Sequence, residues 1–182
     1  MNTPKFRVSY PNVFKPQLNK MSGKTEYSVV ALFSKDADLK ALRKAADEAV
    51  IEKWGADKTK WPKNLKSPFR DQAEREKEGV MPAGHEKGAV FMNLKSKNKP
   101  GVVDQNVQAI IDESEFYPGC WAIASVKAYA YDQAGNRGVS FGLNNIQKVK
   151  DGEPFSGRSK AEADFAPITP DEEDASSDTL FN

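Results

Sequence analysis

The segment CWAIASVKAYAYDQAGNRGVSFGLNNIQKV, residues 120–149, constrains the fold of this chain more than any other stretch. Apolar residues recur at every second position on both sides of QAGN, which is the period of a half-buried β-strand. The QAGN stretch is rich in turn-forming residues, so the sequence predicts a β-hairpin with a four-residue loop from Gln133 to Asn136. In that register Asp132 lies opposite Arg137, and side chains at alternate positions of each strand share one face.

The two faces of the predicted hairpin differ in chemistry. One is apolar and combines small with large side chains, as a barrel interior requires, in the pairs Ala130–Val139, Ala128–Phe141 and Val126–Leu143. The other sets two rings and a lysine against very small residues, in the pairs Tyr131–Gly138, Tyr129–Ser140 and Lys127–Gly142. Open ring faces can stack on unpaired bases, for roughly 1–3 kcal/mol per base. Alternatively, the rings cover the glycines and stabilise the sheet.

Shorter strands and one helix are predicted in the rest of the chain. Apolar residues at spacings of three and four predict an α-helix over about 36–54, which Asp36 or Asp38 caps and Gly55 ends. The alternating stretch 5–14 predicts a strand that ends at Pro11. Alternating or continuous apolar patterns predict further strands over 26–34, 88–94 and 100–104.

Residues 56–88 have no sustained period and are rich in proline and glycine. A loop this long inside a compact domain is usually functional or disordered, although a short helix near 70–78 fits its sequence. Several strands, one clear helix and no alternation of strand and helix predict a mainly β fold, a small β-barrel with an accessory helix.

Charge is segregated along the chain. Residues 1–160 contain all 27 lysines and arginines and 19 of the acidic residues, a net charge of +8, whereas residues 161–182 carry −7. A basic body with an acidic arm is expected of a protein that binds a polyanion. The alternative is a chance asymmetry around a neutral fold.

Two basic segments favour nucleic acid as that polyanion. The stretch DKTKWPKNLKSPFR, residues 57–70, interleaves Trp61 and Phe69 with the cations Lys58, Lys60, Lys63, Lys66 and Arg70. Lys95, Lys97 and Lys99 recur at alternate positions, so an extended chain would present them on one side. Lysines neutralise phosphates and aromatic rings stack on bases. Each run by itself could be a solvated loop, but together with the hairpin they favour nucleic-acid binding.

Residue types that commonly act in catalysis or bind zinc are rare in this sequence. His85 is the only histidine, and Cys120 is the only cysteine and lacks a CxxC partner, so no zinc site, cofactor or internal disulfide is expected. With one cysteine, no apolar run of membrane length and no signal peptide after Met1, we expect a protein of a reducing cytoplasm.

Two rival functions remain at this stage. A metal-dependent nuclease would need converging acids such as Asp104, Asp112, Glu113 and Glu115, but DESE at 112–115 reads as a polar turn, so we expect no enzyme. A structural or virion interaction protein would use the aromatic hairpin as a protein interface. Salt-sensitive binding to an oligonucleotide would separate these alternatives.

Three stretches together suggest a family: GHEKGAVFMNLKSKNKPGVVD, FYPGCWAIASVKAYAYDQAGNRGVSFGLNNIQKVKDGE, and an acidic end that bears a phenylalanine. The chain resembles the bacteriophage single-stranded DNA-binding proteins with an OB-fold core, from about residue 4 to residue 154. The resemblance implies an OB-like barrel over 1–155, with a disordered acidic tail over 156–182. It also implies a protein that coats unpaired DNA during phage replication, recombination and repair.

The chain departs from the family pattern in two places. The helix follows the second strand, whereas a simple OB-fold has it after the third, which predicts an elaborated barrel. The tail ends with Phe181 followed by Asn182, whereas similar bacterial tails end on phenylalanine, which favours a phage-encoded partner.

The acidic tail itself suggests a double role. Its charge can lie over the basic body when DNA is absent, and its apolar end can enter a pocket on a phage or host replication or recombination enzyme. The residues expected to act in this way are Asp171, Glu172, Glu173, Asp174, Asp178, Leu180 and Phe181.

Overall fold

The computed structural model describes residues 1–19, 23–133, 135–156 and 166. The expected tail lies outside the described residues apart from Ser156 and Ala166. No helix in the described part is long and apolar enough to cross a membrane. The elements in chain order are β1 (Phe6–Asn19), β2 (Lys24–Leu32), α1 (Lys40–Trp54), β3 (Arg70–Asp71), β4 (Val90–Ser96), β5 (Gly101–Val103), β6 (Trp121–Gln133) and β7 (Asn136–Lys150).

Strands β6 and β7 form the predicted hairpin in the predicted register. The apolar pairs point into the core, where Val126, Phe141 and Leu143 are almost completely buried. Lys127 and Tyr129 point the other way and are exposed. The alternation of small and large residues therefore assigned the two faces of the hairpin correctly.

The hairpin loop is shorter than predicted. Gln133 also pairs with Asn136, so only two residues connect the strands instead of four. Gly135 has a φ of 82°, which glycine adopts without a steric cost and which tight hairpin turns require.

Five strands close into a barrel in the order β1-β2-β4-β7-β6, with β6 returning to β1. All neighbours are antiparallel except β4 and β7, which run parallel and pair only at Leu94–Phe141 and Lys95–Gly142. Helix α1 packs Leu42, Ala46 and Val50 into the barrel core. As predicted, this helix follows the second strand, so the barrel is an elaborated one.

The first strand does not end at Pro11, as the sequence analysis expected, but continues to Asn19. A β-bulge between Ser9 and Asn12 interrupts the pairing with β2, and Tyr10 has a φ of 45° within it. The proline, which has no N–H to donate, falls in this bulge, where the ladder hydrogen bonds are already broken.

Other boundaries also differ from the sequence expectations. Strand β2 spans Lys24–Leu32 rather than 26–34, and β4 spans Val90–Ser96 rather than 88–94. The helix begins at Lys40, where the Asp38 carboxylate accepts the backbone N–H at 3.0 Å, and ends at Gly55 as expected. The short helix expected near 70–78 is strand β3 followed by one 3₁₀ turn, Gln72–Arg75.

Gln72 fastens the long connection between α1 and β4 to the barrel. Its side chain is 1% exposed. The Nε2 amide donates to the Phe33 carbonyl at 2.8 Å and to the Val90 carbonyl at 2.9 Å, and Oε1 accepts from the Glu86 backbone N–H at 2.7 Å. A buried amide with this many partners resists replacement by any apolar group.

We predict that Gln72→Leu lowers the free energy of unfolding by roughly 2–4 kcal/mol, because it leaves buried backbone groups without partners. Chemical denaturation of the purified variant measures this. The matched change at an exposed glutamine, Gln105→Leu, should alter the free energy of unfolding by less than about 0.5 kcal/mol. Equal effects at the two positions would contradict this role for Gln72.

Candidate nucleic-acid interface

Two of the predicted lysines meet where the barrel closes. Gly142 on β7 pairs with Lys127 on β6 and also with Lys95 on β4, so the lysines occupy one row on the outer face, one on each side of the glycine. The Tyr129 ring lies 3.8 Å from the point that a Cβ at Gly142 would occupy. This ring is 44% exposed, so a partly open ring lies next to the glycine that separates the two lysines.

The two lysines differ in their surroundings. Lys95 Nζ lies 2.7 Å from the Glu26 carboxylate, which also accepts a hydrogen bond from Asn19. Partial burial raises the pKa of Glu26, but the hydrogen bonds from Lys95 and Asn19 outweigh it and lower that pKa overall. Lys127 forms no ion pair within the described residues. Lys127 is therefore the lysine of this row whose charge is more available to a bound phosphate.

Tyr131 fits the alternative interpretation of the hairpin, in which a tyrosine ring covers a glycine. Its hydroxyl lies 2.8 Å from the point that a Cβ at Gly138 would occupy, and its ring is half-buried. Burial, and secondarily the neighbouring Tyr129, raise the pKa of Tyr131. Tyr131 thus packs against a glycine, and Tyr129 is the more exposed of the two rings.

The basic segment 57–70 lies alongside the hairpin because Lys66 bridges to β7. The Lys66 N–H donates to the Arg137 carbonyl at 2.9 Å, and the Lys66 carbonyl accepts from the Val139 N–H at 3.1 Å. The backbone of Lys66 crosses directly over Gly138, where any larger residue would collide with it. The bridge fixes Lys66 beside the hairpin, next to Tyr131.

The remaining predicted residues are distributed around this face. Trp61 is anchored to the body, since its Nε1–H donates to the Gly55 carbonyl at 2.8 Å and Lys58 lies 5.7 Å above its ring. Arg70 ion-pairs with Glu74 and stacks on Phe91 at 4.9 Å. The other predicted lysines are exposed, namely Lys58, Lys60, Lys63, Lys66, Lys97 and Lys99.

The structure also reveals a row of arginines and rings that the sequence analysis did not predict. On the outer face of the barrel, Trp121 on β6, Arg7 on β1, Leu32 on β2, Phe91 on β4 and Arg70 on β3 pair in succession. The alternating pattern of β1 places Arg7 on the polar face of that strand. The other residues of the row are far from Arg7 in the sequence, so no local pattern predicted the row.

Aromatic rings pack on Arg7 of this row and on Arg75, which contacts Phe91 of the row. The Arg7 guanidinium lies 5.3 Å from the Trp121 ring and 4.8 Å from the Phe155 ring. Arg75 lies 4.8 Å from the Phe91 ring and 5.9 Å from the exposed Tyr10 ring. Such arginine–aromatic contacts are also used to hold single-stranded nucleic acids.

The residues that precede the expected tail are fixed to the barrel beside this row. Arg7 donates to the carbonyls of Gly119 and Glu153, at 2.6 and 2.7 Å. The Phe155 ring packs so closely on Gly84 that a Cβ there would lie 2.0 Å from it. The chain therefore leaves the described barrel next to the arginine row.

The groups considered for catalysis have structural roles. Burial raises the pKa of Cys120 to about 11, so its thiol is protonated at neutral pH. The Asp112 carboxylate accepts hydrogen bonds from Ser114, which lower its pKa, and Glu113 pairs with Lys15 at 3.2 Å. Within the described ranges, no three His, Cys, Asp or Glu side chains are grouped as a metal site would need.

The closed five-stranded barrel, with its parallel β4–β7 contact and one accessory helix, is an OB-fold. The family model described as Enterobacter phage Enc34, ssDNA-binding protein, matches residues 1–179. The chain therefore belongs to this family of phage single-stranded DNA-binding proteins, as the sequence resemblance predicted.

Individual relatives agree with this placement. Putative protein p50 of Acyrthosiphon pisum secondary endosymbiont phage 1 is 30% identical over 160 residues, which cover 83% of each chain. The single-stranded DNA-binding protein of bacteriophage Enc34, solved with ssDNA, has a TM-score of 0.65 and 22% identity, covering 85% of this chain and 88% of that one. Bacteriophage T7 gp2.5, a single-stranded DNA-binding protein, has a TM-score of 0.54 and 15% identity, covering 88% and 96%.

The two glycines within strand β7, Gly138 and Gly142, provide a matched test of this geometry. At Gly138 a Cβ would lie 2.6 Å from the Lys66 carbonyl oxygen, whereas at Gly142 its nearest neighbour would be at an ordinary 3.7 Å. We predict that Gly138→Ala costs about 1–3 kcal/mol of the free energy of unfolding, because the Lys66 bridge must move. Gly142→Ala should change it by less than about 0.5 kcal/mol. Thermal denaturation compares the two, and equal losses would show that the Lys66 bridge is not tight.

Proposed function

We propose that this protein coats single-stranded DNA without sequence preference, with Tyr129 and Lys127 at the centre of its binding face. The observation that carries the proposal is the open Tyr129 ring between Lys127 and Lys95 around Gly142. Every base has a face that can stack on a ring, and every phosphate can pair with a lysine, so neither contact reads sequence.

The exposed lysines of 57–70 and 95–99 would extend this face along the phosphate backbone. The Lys66 bridge supports this, since it holds the first of these segments against β7 beside the hairpin. Arg70 would add a further positive charge to this face. Arg7 in the arginine row, and Arg75 with the Tyr10 ring beside it, would offer more charge and more rings for stacking. Trp61 contributes less to stacking, because its indole N–H is already bonded to the body.

In this role the protein acts in the host bacterial cytoplasm during phage DNA replication, recombination and repair, without catalysing a reaction. Its acidic tail, Asp171 to Phe181, recruits phage or host enzymes and competes with DNA for the basic face. The position of Phe155 supports the competition, because the described residues that lead toward the tail lie beside Arg7, a cation on the outer face.

Binding to oligonucleotides tests the DNA-binding proposal. We predict that Tyr129→Ala weakens binding to a mixed-sequence single strand by roughly 1–3 kcal/mol without loss of stability, because a stacking ring is removed. Lys127→Ala should reduce the slope of affinity against salt by about one unit. Tyr131→Ala should instead lower thermal stability, because this ring covers Gly138. Fluorescence anisotropy over a series of salt concentrations measures the first two effects, and thermal denaturation measures the third.

The control for these variants is Lys44→Ala, which removes an exposed lysine that pairs with Glu48 on α1. It should leave both affinity and salt slope nearly unchanged. Duplex DNA should bind more weakly than the single strand, since paired bases have no open faces. Equal affinity for duplex and single strand, or wild-type binding by Tyr129→Ala, would refute stacking and favour the hairpin as a protein interface.

Deletion of residues 171–182 tests the tail. The deletion removes five acids, so we predict tighter binding to single strands at low salt, with a difference that shrinks as salt screens the competition. The melting temperature should barely change. Phe181→Ala keeps every charge, so it should preserve DNA affinity and weaken only partner binding. If deletion leaves affinity unchanged at every salt concentration and Phe181→Ala spares every replication partner tested, the tail only improves solubility.

A further inference from the structure

A second exposed feature lies away from the barrel closure, at the outer side of β5. Strand β5 pairs with β7 through Gly101–Asn145, Val102–Ile146 and Val103–Gln147. The chain then turns and pairs back on β5, with a bridge between Val103 and Ala109. Residues 109–111 therefore form the outermost edge of this part of the sheet, and we call them the 109–111 edge.

The backbone of the 109–111 edge is unpaired on its outer side. Inward, the Ile110 N–H donates to the Val102 carbonyl at 2.9 Å and the Gln108 carbonyl accepts from the Asp104 N–H at 2.9 Å. Within the described residues, the backbone N–H and C=O groups of Ala109 and Ile111 make no hydrogen bond. Two residues at alternate positions thus present donors and acceptors with the spacing of a strand edge.

Large apolar side chains flank this open backbone. Ile111 is 89% exposed and Val107 is 68% exposed, among the most exposed large apolar residues in the described part of the chain. The turn that carries Val107 is well built, because the Asp104 carboxylate accepts the N–H groups of Asn106 and Gln108 at 2.8 Å each. These side chains are held at a fixed place rather than on a loose loop.

The charge around the edge is opposite to that of the body. Residues 104–115 contain four acidic residues and no basic one, within a body whose net charge is +8. Glu113 is ion-paired with Lys15, so the acids whose charge counts here are Asp104, Asp112 and Glu115. Single-stranded DNA is repelled by this charge, and so is the acidic tail of the same chain or of another copy. Any strand that pairs here must bring positive charge.

Some basic stretches of a second copy are already paired within their own chain. In the basic segment 57–70 the backbone of Lys66 is paired with β7, and Lys95 lies in β4. The N-terminal residues pair with β6, through Thr3 to Ala124 and Met1 to Val126. These pairings favour a different protein as the source of the complementary strand.

We propose that the 109–111 edge is a docking site for an extended, lysine- or arginine-bearing segment of a partner protein, which adds to the sheet as one more strand. Backbone hydrogen bonds to Ala109 and Ile111 hold the segment, the Ile111 side chain packs on an apolar residue, and Glu115 and Asp112 face its cations. The site is separate from the Tyr129 face and does not depend on DNA binding.

A short peptide in which lysine and valine alternate probes this site on the ¹⁵N-labelled full-length protein. We expect amide shifts confined to about residues 107–113, and much weaker shifts with a matched peptide in which glutamate replaces lysine. Ile111→Pro removes one outward N–H that has no internal partner, and should weaken the peptide about tenfold while the remaining spectrum stays unchanged. Ile111→Ala, which keeps the N–H, should weaken it less.

Glu115→Lys tests the charge without touching the backbone, and should weaken the lysine peptide and strengthen the glutamate peptide. The proposal is wrong if the lysine peptide produces no shift at the edge, or if Ile111→Pro binds it as well as wild type does. It is also wrong if an oligothymidine shifts these amides, which would make the edge a DNA site. Concentration-dependent shifts of the same amides without peptide would assign the edge to a second copy.

Discussion

Closure of the barrel between β4 and β7 is the constraint on which the rest of the structure depends. These strands share only two residue pairs, Leu94–Phe141 and Lys95–Gly142, and both are parallel. The first pair buries its side chains in the core, and the second places a lysine next to Tyr129. The same contact therefore stabilises the fold and assembles the proposed binding face, because neighbouring residues of a strand point to opposite sides.

Small residues make this arrangement possible at several points. Gly138 lets the Lys66 backbone cross β7, and Gly84 lets Phe155 lie over the arginine row. In both places the glycine has no side chain because another part of the chain occupies that space. The long connection between α1 and β4, fixed by Gln72, thereby becomes part of the outer face instead of a loose loop.

The surface of the described barrel carries two opposite electrostatic environments. One holds Lys127, Lys95 and the lysines of 57–70, and the other holds the acids around the 109–111 edge. A protein that coats DNA must be reached by other proteins while its basic face is covered. The docking site proposed at the acidic 109–111 edge would satisfy that need, because its negative charge disfavours DNA.

The sequence by itself determined the hairpin, its register and the assignment of its two faces, because the alternation over 120–149 is long and strict. It also determined the helix and the basic character of the body. It could not rank the exposure of the two tyrosines, since only the structure shows the Tyr131 hydroxyl packed at Gly138 beside the Lys66 backbone while Tyr129 stays more exposed. It missed the β1 bulge at Pro11 and the row from Trp121 through Arg7 to Arg70. These features depend on contacts between residues far apart in the chain, which no local period encodes.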